Sequence, residues 1–122
     1  MRCTAPPILR KIARIAAWSL ATAIVVLSIV PPSVRPETDL PQDVEHFAVF
    51  WATGLALAVG YTLRPLVAAV LVIFSGAVEM IQLLVPGRHA RVGDFMVDAL
   101  ASIVGLITVF LVAKISALTR VK

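Results

Sequence analysis

Four long apolar blocks constrain this chain more than any other feature: Ile15–Val30, Phe47–Leu63, Leu66–Val85 and about 94–113. Short segments rich in proline, glycine and charge separate them. An apolar run of about 20 residues is what a helix needs to cross a hydrocarbon core about 30 Å thick, whereas a membrane strand needs only about 9–11. Inside lipid every backbone polar group must be satisfied internally, so runs of this length fold as helices. Composition agrees: 60% of the 122 residues are hydrophobic and 15% charged, against about 45–50% and about 25% in an ordinary soluble domain. The expected architecture is all-α, a four-transmembrane-helix bundle forming one domain over residues 1–122. Its helices are expected at about 11–30, 46–63, 66–85 and 94–113.

The segments between the blocks carry the expected boundaries. Arg2, Arg10, Lys11 and Arg14 precede the first block in the manner of a signal peptide. Ile29-Val30-Pro31-Pro32 lacks the small-residue cleavage pattern, so the reading is an uncleaved first helix, capped by Thr4 with Pro6 and Pro7 in its first turn. Prolines 31, 32, 36 and 41 make the next segment an extended loop. Asp39 with Gln42 reads as a capping box for the second helix, and Asp43 and Glu45 suit its positive end. Arg64-Pro65 opens the third helix, Pro86-Gly87 stops it, and Asp94 reads as the N-cap of the fourth. Trp18, Trp51 and Tyr61 read as interfacial anchors. Gly54 with Ala58, and Ala101 with Gly105, offer small faces for close helix contact.

Charge sets the expected orientation. Arg2, Arg10, Lys11, Arg14, Arg64, Lys114, Arg120 and Lys122 fall at one side of an alternating bundle, and only Arg35, Arg88 and Arg91 at the other. The positive-inside rule then places both the N- and C-termini in the cytoplasm. The net charge of +4 comes from these flanks without aromatic interleaving, which argues against nucleic acid and for the lipid bilayer as the first partner. The single cysteine, Cys3, excludes an intramolecular disulfide and carries no metal-binding spacing.

The outward side gathers a candidate polar site: His46, Glu79, Gln82, Arg88, Arg91, Asp94 and Asp98, with His89 beside them in a loop. Glu79 and Gln82 share a helix face, as do Asp94 and Asp98. Glu79 lies six residues inside Val85, about 9 Å along the axis. A charge facing lipid at the bilayer centre would cost about 2.5–3.5 kcal/mol, so Glu79 is expected to pair with Arg88, His46 or Arg91. Four readings compete. One is a structural network that locks the helices. A second is recognition of an envelope ligand, with arginines for anions and carboxylates for hydroxyls or amines. A third is catalysis with His46 as general base, or a metal held by His46, Glu79 and Asp94 or Asp98. No GxSxG, HExxH or P-loop pattern names a nucleophile, a metal or a cofactor, so enzymatic activity stays open. Ion passage ranks last, because polar groups do not continue through the inner halves of the first and fourth helices.

Together these residues resemble the VanZ-like family of small membrane proteins, named for a factor associated with teicoplanin resistance. His46-Phe47 opens the second helix, Glu79-x-x-Gln82 lies late in the third, and Pro86-Gly87-Arg88 is followed by Asp94, Asp98 and Gly105. The resemblance spans roughly residues 42–112. The chain departs from the family pattern at Gln42-Asp43, at Phe50 and at Asp98, where an asparagine is frequent. The resemblance implies an integral protein of the bacterial inner membrane. Its outward site would bind or help process an envelope component, with a link to glycopeptide susceptibility. The alternative is an assembly partner in a membrane complex, with the polar cluster serving helix packing.

Overall fold

The computed structural model describes residues 5–36, 38–62 and 64–119. The expected Thr4 cap, Cys3, Leu63 and the terminal basic residues Arg2, Arg120 and Lys122 lie outside them. Four α-helices follow in order: α1 (Pro7–Ile29), α2 (Gln42–Gly60), α3 (Arg64–Gln82) and α4 (Val92–Thr119). Three of them, α1, α3 and α4, are long and apolar enough to cross a membrane. Large apolar side chains such as Ile73, Leu111 and Ile115 lie exposed along them. That surface marks a membrane protein, since a soluble one would not leave so much of it uncovered.

The second helix differs because its first turn carries Gln42, Asp43, Glu45 and His46, which dilute its hydropathy. It is also the enclosed one. It packs along α4 and α1 and touches α3 lightly, while α3 leans mainly on α4. Its buried side comprises His46, Phe50, Thr53, Gly54, Ala56, Ala58 and Gly60. The polar turn is the open end of this helix: Gln42 and Asp43 are exposed and Glu45 half-buried, while His46 is buried.

The contact between α2 and α4 is a backbone contact. A Cβ placed on Gly54 would collide with the Ser102 carbonyl, and one on Gly105 with the Trp51 carbonyl and the Leu55 amide. Both helices run the same way, so equivalent depths meet: Gln42 reaches Asp94, His46 reaches Asp98, and Trp51 Nε1 donates to Thr108 Oγ1 at 3.4 Å. Gly54, Ala58, Ala101 and Gly105 provide the small surface that such an approach needs. Trp51 is thereby a helix-contact residue. Below the polar turn a small core of Ile24, Phe50, Val78 and Ala101 joins all four helices, with Phe74 packed against Phe50 at 6.0 Å between ring centroids.

At the opposite end Arg14 ties α1 to α2. Its Nε donates to the Gly60 carbonyl at 2.9 Å and its guanidinium lies 4.8 Å from the Tyr61 ring centroid. Trp18 Nε1 donates to Tyr61 Oη at 2.9 Å. Arg64 sits over Phe110. This is the end where the basic residues collect, as their spacing predicts.

Several boundaries differ from expectation. The third helix ends at Gln82, with Leu83–Val85 already in turn geometry, so Glu79 lies within the last turn instead of six residues deep. Pro86-Gly87 completes that turn, and Gly87 adopts φ +81°, a conformation glycine takes without the Cβ clash of other residues. Pro41, not Asp39, occupies the N-cap of α2, and no side chain caps it. The fourth helix begins at Val92 and turns Asp94 inward within its first turn. In both cases the side chain expected at the cap sits elsewhere: Asp39 two residues upstream, Asp94 engaged across the helix pair.

Replacing Gly54 or Gly105 by valine forces the two backbones apart. Overpacking of this kind costs about 1–3 kcal/mol or more, so each variant is expected to lower the thermal midpoint of the purified protein clearly, and Gly93→Ala, whose added Cβ meets nothing within 4 Å, is expected to shift it little. Equal midpoints for all three would contradict the close α2–α4 packing.

Candidate functional site

Because α2 and α4 run side by side in the same sense, residues four apart on one helix face residues four apart on the other. Gln42 and His46 stand opposite Asp94 and Asp98. Gln42 Nε2 donates to Asp94 Oδ2 at 3.4 Å, and His46 Nδ1 lies 3.0 Å from Asp98 Oδ1. Asp98 is 0% exposed and His46 8%. A carboxylate so enclosed fixes the ring orientation and favours the proton on Nδ1, which leaves Nε2 pointing away from the pair. The His46 ring also stacks on Phe50 at 6.5 Å, and Phe50 is buried at the floor of the site.

Glu79 belongs to the same neighbourhood, within electrostatic reach of His46, Asp94 and Asp98. The expected partners do not reach it. Both carboxyl oxygens are buried without a hydrogen-bond partner among the described residues, as is Asp98 Oδ2. The Arg91 main chain approaches Glu79 but falls short of hydrogen-bond geometry. Arg91 itself is exposed, as is His89.

Arg88 turns the other way, toward α1. Its Nη2 donates to the carbonyls of Leu27 at 2.7 Å and Val30 at 3.2 Å, two of the acceptors that the end of α1 leaves open. Burial, with Arg35 nearby, lowers its pKa from the usual guanidinium value. Arg35 is held by Glu45 through a 3.0 Å ion pair. Neither Arg35 nor Glu45 stood out in the sequence as a site residue, because ten positions and a proline-rich loop separate them.

Some of these groups line a cavity of about 300 Å³ at the end of the bundle where α1 finishes, α2 begins and α3 finishes. Ile24, Leu27, Val49, Phe50 and Val78 form its apolar wall. His46, Gln82, Arg88 and the Arg35–Glu45 pair form its polar wall. The seven candidate residues therefore divide. His46, Gln82 and Arg88 line the cavity; Asp98 stands behind His46; Asp94, held by Gln42, and the buried Glu79 do not line it; Arg91 belongs to the surface. Among the described residues no three His, Cys, Asp or Glu side chains converge to hold a metal ion, so the expected His46, Glu79 and aspartate ligand set does not assemble.

Comparison of the chain with protein-family models, with curated proteins and with solved structures gave no match.

Two carboxylates in this cluster differ sharply in their partners, and substitution is expected to separate them. Asp98→Leu strands the His46 ring, and breaking a buried pair typically costs about 3–5 kcal/mol. Glu79→Gln removes a potential buried charge that has no partner and is expected to leave the midpoint unchanged or raise it. Thermal unfolding of the two purified variants checks the contrast; a Glu79→Gln loss as large as that of Asp98→Leu would show that Glu79 is paired after all.

Proposed function

We propose that this chain is a VanZ-like integral protein of the bacterial inner membrane, crossing it four times with both termini in the cytoplasm. Its outward end binds, or helps process, a component of the cell envelope. The observation that carries the reading is the cavity of about 300 Å³ with one apolar and one polar wall, in which His46 is backed by the buried Asp98. Pockets of this size and mixed character are the usual sites for small ligands. The fourth crossing is supported by α2 itself, whose 19 residues reach about 28 Å and whose polar turn is confined to one end, above a stretch packed along α1 and α4. The orientation is supported by the collection of Arg10, Lys11, Arg14, Arg64 and Lys114 at the end opposite the cavity.

A second reading has its own observation in favour. Arg88 on the α1 carbonyls, Arg35 on Glu45 and His46 on Asp98 each tie separate segments together, as an assembly subunit with a purely structural polar cluster would need. The two readings part on ligand response. Bound ligand stabilises by mass action, by about 2.7 kcal/mol at a hundredfold excess over Kd.

Under the binding reading, an inner-membrane lipid and envelope-precursor extract raises the thermal midpoint of the purified chain. Ala23→Phe, which fills the cavity from α1, abolishes that rise while keeping the fold. Indifference of the wild type to the whole panel, glycopeptides included, would leave the structural reading standing. Topology has a separate check: a phosphatase reporter inserted in the 31–41 loop is expected to be active outside the cytoplasm, and one fused after Lys122 inactive. The opposite pattern would invert the protein and turn the cavity inward.

A further inference from the structure

Two side chains on the polar wall of the cavity have hydrogen-bonding capacity that no described residue uses. His46 is 8% exposed and Gln82 3%. His46 spends Nδ1 on Asp98, and its Nε2 makes no hydrogen bond. The Gln82 amide makes none to any described residue. Neither group is sealed in like Glu79, whose oxygens lack both partner and access; both open on the cavity. Both groups line the same cavity, so a ligand seated there meets a ring nitrogen and an amide that no described side chain engages, and each has a hydrogen bond to offer.

We infer that the cavity takes a lipid whose headgroup carries free hydroxyls, such as a glycerol or a sugar, with a hydroxyl seated between His46 Nε2 and the Gln82 amide and the hydrocarbon chain along Ile24, Leu27, Val49 and Val78. This rests on the cavity being a ligand site at all. A hydroxyl both donates and accepts, so it matches Nε2 in either charge state of the ring and either end of the amide. A carboxylate or phosphate matches less well, because Glu45 shares this wall and both arginines are already engaged, Arg35 with Glu45 and Arg88 with the end of α1. The apolar wall below is too extensive for a water-soluble polyol and continues the surface of helices that lipid already covers.

The chain has two histidines, His46 in the cavity and His89 in an exposed loop, so ¹⁵N-histidine labelling gives a reporter and an internal control. In phosphatidylcholine nanodiscs, 1-monooleoylglycerol is expected to move the His46 Nε2 resonance and leave His89 in place. Methyl oleate and free glycerol at the same concentration are expected to move neither. Gln82→Met is expected to weaken the monooleoylglycerol response at least tenfold while holding or raising the thermal midpoint of the unliganded protein, since it removes an unpaired amide.

Equal responses to monooleoylglycerol and methyl oleate would overturn hydroxyl recognition while leaving a lipid-binding cavity. A response to glycerol as strong as that to the lipid would overturn the role of the chain. A loss of several degrees in unliganded Gln82→Met would show that the amide has a structural partner and would overturn its assignment. Silence of His46 to every amphiphile, including those of the envelope extract, would overturn both this inference and the binding reading beneath it.

Discussion

Close backbone contact between α2 and α4 is the constraint on which the rest of the molecule depends. Gly54 under the Ser102 carbonyl and Gly105 under the Trp51 carbonyl bring two parallel helices together without side chains between them. In lipid there is little hydrophobic gain in burying one apolar helix against another, so packing at small residues does what solvent exclusion does in water. The approach also fixes register. With the glycines interlocked, Gln42 meets Asp94 and His46 meets Asp98. The polar pair is thus a product of the glycine contact as much as a cause of it.

From that seam the functional end can be followed outward. Asp98 is enclosed on α4, so His46 is held by one nitrogen and offers the other across α2 toward α1 and α3. The first helix closes the far wall with Ile24 and Leu27, and Arg88 secures its end from the loop after α3. The cavity is therefore an interhelical space shared by α1, the proline-rich loop, α2, the end of α3 and Arg88, with α4 behind it. Its walls differ in character because Glu45 and His46 of α2, Gln82 at the end of α3, Arg35 and Arg88 meet there, while α1 and the deeper residues Val49, Phe50 and Val78 are apolar.

Much of this was legible in the sequence, for physical reasons. Apolar block length specified four helices, and Pro86-Gly87 specified the turn after α3. The spacing of Gly54 and Ala58 and of Ala101 and Gly105 pointed to the close faces. The four-residue spacing of Asp94 and Asp98 was visible, and the matching spacing of Gln42 and His46 would have paired the helices had parallel orientation been applied to both. Other features were not legible. Arg88 bonds to main-chain carbonyls, which leave no mark in a sequence, so it seemed free to neutralise Glu79. Arg35 and Glu45 meet through the path of a loop that no local rule specifies. Leu83, Leu84 and Val85 read as helix because they are apolar, yet apolar residues in a membrane protein serve turns at the interface equally well.

Many hydroxyls of the bundle behave differently from His46 and Gln82. Thr22, Ser28, Thr53, Ser75, Ser102 and Thr108 each donate to the carbonyl four residues earlier in their own helix. A hydroxyl hydrogen folded back in this way leaves only the oxygen's lone pairs for a neighbour, as Thr108 shows by accepting from Trp51. These side chains give their hydrogens to their own helices, and the apolar cluster of Ile24, Phe50, Val78 and Ala101 lies beneath the polar wall of the cavity.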